Sequence, residues 1–365
     1  MKKILVVASA LRTSGGTTIY KQFIYHLSEL IGDNQYLIIK DASMPETLIN
    51  GVQYIDVDTA SHINRVKFDF GGCKKLIDKL GFKPDKVVSL QNTGVYCLKD
   101  IDQCVYYHSP VALFPYKWSI FDKEERNMLM YKYIYPVFVR LSTTKTTRFV
   151  VQTQFIKDAF VDYYKTTPEN VSILFPDISL TPIDDVKGTT FDPQEVHFVY
   201  PATPKLFKKH ETIVYSLNRL KEKNPDLVKT IKVHFTLKED SLPNLTKLIK
   251  KYRLENNFIF EGVLPISKLN ELYKGSDCLL FPSVVETLGL PLVEAASFGI
   301  PVLASDAGYS HSVISKYEGA TFISPFDYGE WADNIENICN SRPHFKPYTI
   351  EGNSSWVDFF NIVQS

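Results

Sequence analysis

Two glutamates, Glu286 and Glu294, are the residues whose type and spacing best fit a ligand site. Glu286 follows the apolar run 278–281, a predicted buried strand, and Glu294 lies about one turn into a helix that begins near Pro291. The N–H groups and the dipole of a helix start favour an anion such as a diphosphate. Carboxylates beside it accept hydrogen bonds from sugar or ribose hydroxyls. Taken alone, the same residues also fit an ordinary surface helix.

Glycine and histidine residues stand at comparable points nearer the start of the chain. Gly15 and Gly16 follow the first apolar run and open the first predicted helix, where the backbone could approach a ligand closely. Their spacing matches neither a GxGxxG turn nor a P-loop, so it does not support a nicotinamide enzyme or an NTPase. His108 lies just past a later predicted strand, and alone it fits a structural histidine equally well.

Short apolar runs alternate with helix-patterned stretches along most of the chain. The predicted strands are 3–9, 35–40, 52–57, 86–90, 103–107, 148–152, 197–200, 231–236, 258–261, 278–281 and 302–305. The predicted helices are 17–31, 70–80, 116–148, 155–164, 210–223, 242–252, 266–275 and 291–298. The rhythm breaks at 176–193, which is rich in proline and aspartate and is typical of a linker. The sequence therefore predicts two doubly wound α/β domains, residues 1–178 and 179–352, with a ligand cleft between them.

The composition limits which classes of binding partner and which cellular compartment are expected. Forty-one basic residues balance 41 acidic ones, whereas a protein that mainly binds nucleic acid carries a basic excess. The five cysteines are scattered, which predicts reduced thiols rather than disulfides or a zinc site. No apolar run approaches the ~18 residues of a membrane span. We expect a soluble, cytoplasmic protein or one attached to the inner face of a membrane.

The stretch 278–302 resembles the signature of GT-B glycosyltransferases, specifically the large retaining group called family 4 or group 1. The resemblance rests on Glu286 and Glu294 at this spacing, on the Gly-Leu-Pro sequence that ends at Pro291, and on Gly299-Ile-Pro301. It extends to about residue 327. It implies the GT-B fold, two Rossmann-like domains, and the synthesis of capsular or other surface polysaccharides.

The resemblance also implies roles for residues of the second domain. Glu286 would contact hydroxyls of the donor sugar, and Glu294 would hold the ribose of the nucleotide. The backbone amides at Gly289 and Leu290 would contact the diphosphate.

The cationic part of the family pattern is only partly present. Many members carry an arginine and a lysine after the first strand of the second domain, where they neutralise the diphosphate. Lys209 fits the lysine, while the arginine is lost. Lys205 or Lys208 could supply the second charge, and a solvated basic turn is the alternative.

In the first domain, the resemblance implies that Gly15 and Gly16 contact the donor phosphates or the acceptor. It also implies that His108 positions the donor sugar. Enzymes of this fold typically return a C-terminal helix to the first domain, so residues 353–365 are expected to pack there with Trp356 as the anchor.

The expected activity is transfer of a hexosyl unit, with retention of anomeric configuration, from a UDP- or GDP-sugar to a hydroxyl of a glycan or lipid-linked saccharide. No cofactor or metal is expected. The alternatives are a non-catalytic subunit that binds the nucleotide sugar, favoured by the lost arginine, and an epimerase or phosphorylase of the same fold. A phosphorylase would carry a lysine-bound pyridoxal cofactor.

Two other patterns have simpler explanations. The triplets 56–58 and 100–102 match the DxD pattern by which another glycosyltransferase fold binds Mn²⁺, but such triplets arise easily by chance. The stretch 115–148 interleaves aromatic residues with Lys and Arg and could contact a membrane that bears a lipid-linked acceptor. Burial of these aromatic side chains in the first domain is the interpretation that we favour.

Overall fold

A computed structural model describes residues 1–12, 14–121, 125–178, 183–350 and 355–365. The chain forms two compact units, Met1–Asp177 with Gly352–Ser365, and Ile178–Glu351. The domain boundaries expected from the sequence lie next to or within 179–182 and 351–354, which are outside the described residues. Both units are α/β, as predicted, because apolar strands alternate with amphipathic helices throughout.

The first unit is built on a seven-stranded parallel sheet with the order β3-β2-β1-β4-β5-β6-β7. Its strands are β1 Lys3–Ala8, β2 Gln35–Lys40, β3 Val52–Asp56, β4 Lys86–Ser89, β5 Asp102–Tyr106, β6 Arg148–Val151 and β7 Val171–Ile173. The central strands are buried along almost their whole length, because helices cover both faces of the sheet.

The helices of the first unit are α1 Ser14–Leu30, α2 His62–Lys67, α3 Cys73–Lys79, α4 Arg126–Leu129, α5 Tyr135–Ser142 and α6 Gln154–Tyr164. One wide π turn, Phe68–Gly72, joins α2 to α3 without a break, and another, Met130–Ile134, joins α4 to α5. Isolated π turns of this kind are frequent at functional sites.

The second unit repeats the plan with a six-stranded parallel sheet in the order β10-β9-β8-β11-β12-β13. Its strands are β8 Val196–Tyr200, β9 Ile231–Phe235, β10 Phe258–Phe260, β11 Cys278–Phe281, β12 Val302–Ser305 and β13 Ala320–Ile323. Its helices are α7 His210–Lys223, α8 Pro225–Lys229, α9 Pro243–Lys251, α10 Ile266–Gly275, α11 Leu290–Ser297, α12 Gly308–Ile314 and α13 Tyr328–Ser341.

The last helix, α14 (Trp356–Gln364), completes the core of the first unit. The Phe360 ring stacks on Phe23 of α1 at 5.4 Å between centroids, and the Trp356 ring stacks on His26 at 5.3 Å. The Lys86 ammonium donates to the carbonyl of Ile362 at 2.7 Å. The chain's last residues thus close one face of the first sheet.

Two sequence-based expectations for 115–148 need correction. Residues 116–121 and 143–147 are not helical, so the predicted helix 116–148 is too long; of its described residues only 126–142 are helical. Trp118 is buried as predicted, but Phe121 and Tyr133 are exposed. Aromatic composition alone could not separate buried rings from exposed ones. Within the described residues, no helix is long and apolar enough to cross a bilayer.

The packing of α14 predicts that its apolar face carries much of the stability of the first unit. Phe360 is 2% exposed and Val357, on the same helix, is 50% exposed. We expect Phe360→Ala to lower the free energy of unfolding of the first unit by about 3–5 kcal/mol, because it leaves a cavity against Phe23. Urea denaturation followed by circular dichroism measures this. Val357→Ala is the control and should cost under about 0.5 kcal/mol; equal losses would contradict the packing argument.

Candidate functional site

Each sheet has one point where the strand order reverses, and the candidate residues gather there. In the first sheet the reversal lies between β1 and β4, and in the second it lies between β8 and β11. Connections from two such neighbouring strands leave in opposite directions, which opens a crevice at the carboxyl ends of the strands. Gly15 and Gly16 follow β1, the three lysines follow β8, and Glu286 follows β11.

In the second unit, the structure brings Lys208 and Glu286 into direct contact. The Lys208 ammonium forms an ion pair with the Glu286 carboxylate, although 78 residues separate them in the chain. Both side chains are largely buried, with side-chain exposures of 13% and 14%. The Lys208 ammonium also lies over the ring of Phe281, 5.6 Å from its centroid. This pair therefore presents one donor group and one acceptor group side by side with little net charge.

Main-chain hydrogen bonds fix the loops that carry this pair. The N–H of Val284 donates to the carbonyl of Phe207 at 2.8 Å, which ties the Glu286 loop to the turn that carries Lys208. The Tyr309 hydroxyl donates to the carbonyl of Ser283 at 2.6 Å. The Tyr200 hydroxyl donates to the carbonyl of Lys208. Two buried tyrosines, on β8 and α12, and one main-chain bond between the loops thus position the ion pair.

Helix α11 begins at the end of the same loop. Gly289 caps it in the left-handed conformation, with φ of +70°, and a Cβ there would lie 3.1 Å from Leu292 Cδ1. Glycine adopts this conformation without the strain that other residues incur. Pro291 occupies the first turn of the helix, and Leu290, its first residue, is half-buried. The predicted helix start at Gly289 and Leu290 is therefore present, and its role in holding a diphosphate stays a prediction.

Glu294 lies within α11 and is held by a buried tyrosine. The Tyr273 hydroxyl donates to Glu294 Oε2 at 3.0 Å. Burial raises the pKa of the Glu294 carboxyl above its usual value, and the hydrogen bond from Tyr273 partly opposes this. The hydrogen bond from Tyr273 fixes the orientation of the Glu294 carboxylate, which suits this group to accept hydrogen bonds from ligand hydroxyls.

The other two lysines differ from each other. Lys209 caps α7 in the left-handed conformation, with φ of +53°, and its ammonium pairs with Glu211 at 3.2 Å. The same ammonium lies 5.9 Å from the centroid of the Phe326 ring. Lys205 is exposed. A strained backbone at a largely buried lysine is the kind of feature that clusters at functional sites.

In the first unit, Gly16 and His108 line one polar cavity of about 160 Å³. A Cβ at Gly16 would lie 2.9 Å from Leu11 Cδ2 and 3.6 Å from His108 Cε1, so a larger residue would crowd this wall. Gly15 is exposed and has open space where a Cβ would stand. The wall is therefore crowded at Gly16 and open at Gly15, and the close approach of a ligand to both glycines stays a prediction.

The hydrogen bonds of His108 define its chemistry. Its main-chain N–H donates to Asn92 Oδ1 at 2.5 Å, and its ring Nε2 lies 3.2 Å from the carbonyl of Leu90. A carbonyl only accepts, so Nε2 carries the proton and Nδ1 is the acceptor nitrogen. Burial lowers the pKa of His108 to about 4. The ring is therefore neutral near pH 7 and suited to accept a hydrogen bond from a hydroxyl.

Sequence analysis missed other residues that line this cavity, among them Arg12, Arg65, Gln91, Asn92 and Tyr135. The Arg65 guanidinium donates from Nη2 to the carbonyl of Gln91 at 2.9 Å and to the Tyr135 hydroxyl at 3.1 Å. The polar pair 91–92 directly after the buried strand β4 was the available signal. No local pattern marks the arginines, since each reaches the site from its own loop or helix.

The DxD triplets lie in ion pairs rather than in a cluster of ligands. Asp56 pairs with Lys40 at 2.6 Å, and Asp58 pairs with Arg12 at 3.1 Å. Asp102 pairs with Lys86 at 3.0 Å. Among the residues that the structure describes, no group of three His, Cys, Asp or Glu side chains could hold a metal ion.

Residues 185–351 match the family model described as Glycosyl transferases group 1. This match covers a little under half of the chain. The chain is 27% identical, over 34% of its length, to the O-antigen chain mannosyltransferase RfbU of Salmonella typhimurium. It spans about a third of the length of that relative, 34%.

Two solved structures cover nearly the whole chain. WaaG, a glycosyltransferase involved in lipopolysaccharide biosynthesis, superposes with a TM-score of 0.65 at 17% identity, over 93% of this chain and 91% of WaaG. Anabaena HepE in complex with UDP and glucose superposes with a TM-score of 0.62 at 15% identity, over 93% of this chain and 90% of HepE. At these identities the likeness shows the fold, and the predicted GT-B fold is confirmed.

The lowered pKa of His108 predicts how stability depends on pH. The unfolded chain takes up this proton near pH 6.5 and the folded chain near pH 4. Stability of the first unit therefore falls as pH drops through this range, by up to about 1.4 kcal/mol per pH unit for one proton. We expect His108→Asn to reduce this slope by about that amount in urea denaturation between pH 7 and 4. The exposed His62→Asn variant is the control, and an unchanged slope in His108→Asn would contradict a buried neutral ring.

Proposed function

We propose that this chain, whose residues 185–351 match the group 1 glycosyltransferase family model, transfers a hexosyl unit from a UDP- or GDP-sugar to a hydroxyl of a glycan or lipid-linked saccharide. We further propose that the reaction retains the anomeric configuration and serves surface polysaccharide synthesis, in the cytoplasm or at the inner face of a membrane. The observation that carries the proposal is the Lys208–Glu286 ion pair, which lies between the carboxyl ends of β8 and β11.

The residues of the second unit supply the groups that such a donor needs. Glu286 and Glu294 are held as acceptors for hydroxyls of the sugar and of the ribose. The start of α11 offers main-chain N–H groups and a positive dipole end to the diphosphate. Lys209, with Lys205 or Lys208, adds positive charge. Stabilising the departing diphosphate is the main electrostatic task of this reaction.

His108 and Gly16 are the candidate residues of the first unit, where they line the polar cavity. A neutral His108 accepts a hydrogen bond from a sugar hydroxyl through Nδ1, and it is a positioning group rather than a general base. The proposal involves no metal ion, because the lysines and the helix start carry the positive charge. The similarity to RfbU and to HepE, which was solved with UDP and glucose, supports both the donor class and the pathway.

Substitution of Glu286 and substitution of Glu294 are expected to impair different steps: sugar transfer in the first case and UDP binding in the second. Glu286→Gln should lower the rate of transfer about a hundredfold, as loss of one transition-state contact does. UDP binding should persist, because Lys208 loses its carboxylate partner and its ammonium stays available to the diphosphate. Glu294→Gln should weaken UDP binding by about tenfold or more, since hydrogen bonds to charged groups contribute about 1.5–3 kcal/mol. Calorimetry measures binding, and radiolabelled donors with EDTA present measure transfer.

The exposed Glu318→Gln variant is the control for this pair and should change neither quantity. Full transfer by Glu286→Gln would refute the assignment of this residue. A protein that binds UDP but turns over no member of a UDP- and GDP-sugar panel would instead be a non-catalytic subunit. Activity that appears only when Mn²⁺ replaces EDTA would contradict the metal-free part of the proposal.

The stereochemistry of the product tests the mechanism. We expect NMR of the first product formed to show the same anomeric configuration as the donor. The second-unit site brings a lysine to Glu286, so this carboxylate is engaged in an ion pair rather than prepared as a free nucleophile. We therefore propose that a diphosphate oxygen accepts the proton of the acceptor hydroxyl. A product of inverted configuration would overturn this mechanism.

A further inference from the structure

A second cavity of about 170 Å³ lies in the first unit, between the helical segment 62–79 and the helical segment 126–142. Its wall consists mainly of carbon: Val66, Phe70 and Tyr96 on one side, Ile134 and Phe138 on the other. The Phe70 ring stacks on Tyr96 at 4.3 Å and meets Phe138 edge-on at 6.3 Å. Each bordering segment contains one π turn, a feature frequent at functional sites.

This apolar cavity adjoins the polar cavity of His108. The two share Arg65, Tyr131 and Tyr135 as lining residues. The Arg65 guanidinium donates to the Tyr135 hydroxyl, to the carbonyl of Gln91 and to the Thr93 hydroxyl, so it is held in place at the boundary that the two cavities share. A molecule with a polar end and an apolar end could therefore occupy both cavities at once.

The outer rim of the apolar cavity is also apolar, while its surroundings are basic. Val66 and Phe70 on one segment and Ile134 on the other line the cavity and remain partly exposed. The two helical segments 62–79 and 126–142 together contain eight basic and two acidic residues, in a chain whose net charge is zero. Such a local excess favours an anionic ligand over a cationic one on this part of the surface.

We propose that the apolar cavity binds the hydrocarbon chain of an anionic amphiphile. This amphiphile is the acceptor of the reaction, and its sugar lies in the polar cavity beside His108. The second statement rests on the proposed function. The first rests on the cavity alone and can be tested without any transfer.

Chain length is the first test. Calorimetry with n-butyl, n-hexyl and n-octyl phosphate, below their micellar concentrations, should show affinity rising about fourfold for each added methylene, the effect of burying one CH₂. Inorganic phosphate should bind at least a hundredfold more weakly than n-octyl phosphate, which separates a lipid-type ligand from a free anion. Affinity independent of chain length would overturn the proposal. Equal binding of n-octyl β-D-glucoside would overturn its anionic part.

A matched pair of variants tests whether the cavity itself binds the chain. Ile134, which lines the cavity, is 54% exposed, and Val137, one turn further along, is 49% exposed and lies outside the lining. Ile134→Glu should weaken n-octyl phosphate binding at least tenfold and remove the dependence on chain length, whereas Val137→Glu should change affinity less than twofold. Equal weakening by both would mean that the exposed helix surface binds the chain, and would refute the cavity.

A second cavity-lining variant ensures that the conclusion does not depend on Ile134 alone. Val66→Glu, on the opposite wall, should reproduce the effect of Ile134→Glu while UDP binding stays unchanged in both. In transfer assays the same variants should raise KM for an alkyl-linked acceptor about tenfold and leave hydrolysis of the donor unaltered. Sugar transfer without any effect of chain length would refute the cavity and leave the proposed function intact. Binding that depends on chain length, in a protein that never transfers sugar, would refute the proposed function and confirm only the cavity.

Discussion

The parallel pairing of the strands is the constraint on which the rest of this molecule depends. Parallel neighbours require a crossover between them, so every loop that follows a strand leaves from the same edge of its sheet. Where the strand order reverses, two such loops diverge and leave space. The second unit carries Lys208 after β8 and Glu286 after β11, on either side of its reversal point. In the first unit Gly16 follows β1 and Gln91 follows β4 at the equivalent point.

Charge in the second unit is distributed through pairs rather than as isolated cations. Lys208 is compensated by Glu286, and Lys209 by Glu211. A largely buried ammonium without a carboxylate would incur a large desolvation cost, which the pairs offset in the absence of a ligand. Under the proposed function, an arriving diphosphate would compete with the carboxylates for these ammonium groups and release carboxylate oxygens toward hydroxyls. This exchange would let the site accommodate two negative phosphates without the arginine that the sequence resemblance leads us to expect.

Much of the fold could be predicted from the sequence, because buried parallel strands are continuous apolar runs that local pattern reveals. The strand 171–173 was missed, since three residues are too short for any periodicity, and so were β13 and α13 near the end of the matched region. The long predicted helix 116–148 failed because its aromatic spacing continues past the points where the backbone leaves the helix. Lys208 and Glu286 could each be proposed as a site residue from the sequence, but their contact could not be predicted. A contact between residues 78 positions apart depends on the register of two strands.

Arg65 lies at the boundary of the two cavities of the first unit and lines both of them. Its guanidinium is engaged by Asp69 at 3.7 Å as well as by main-chain and hydroxyl oxygens. Burial raises the pKa of Asp69 to about 6. Desolvation therefore opposes the charged form of this carboxyl, a cost that apolar side chains in the same place would not incur. A hydrocarbon chain that extended past Arg65 toward His108 would bury the guanidinium against carbon, which is unfavourable. If an amphiphile spans both cavities as proposed, this cost would set its orientation, with the apolar end beyond Arg65 and the hydroxyl-bearing end on the side of the neutral imidazole.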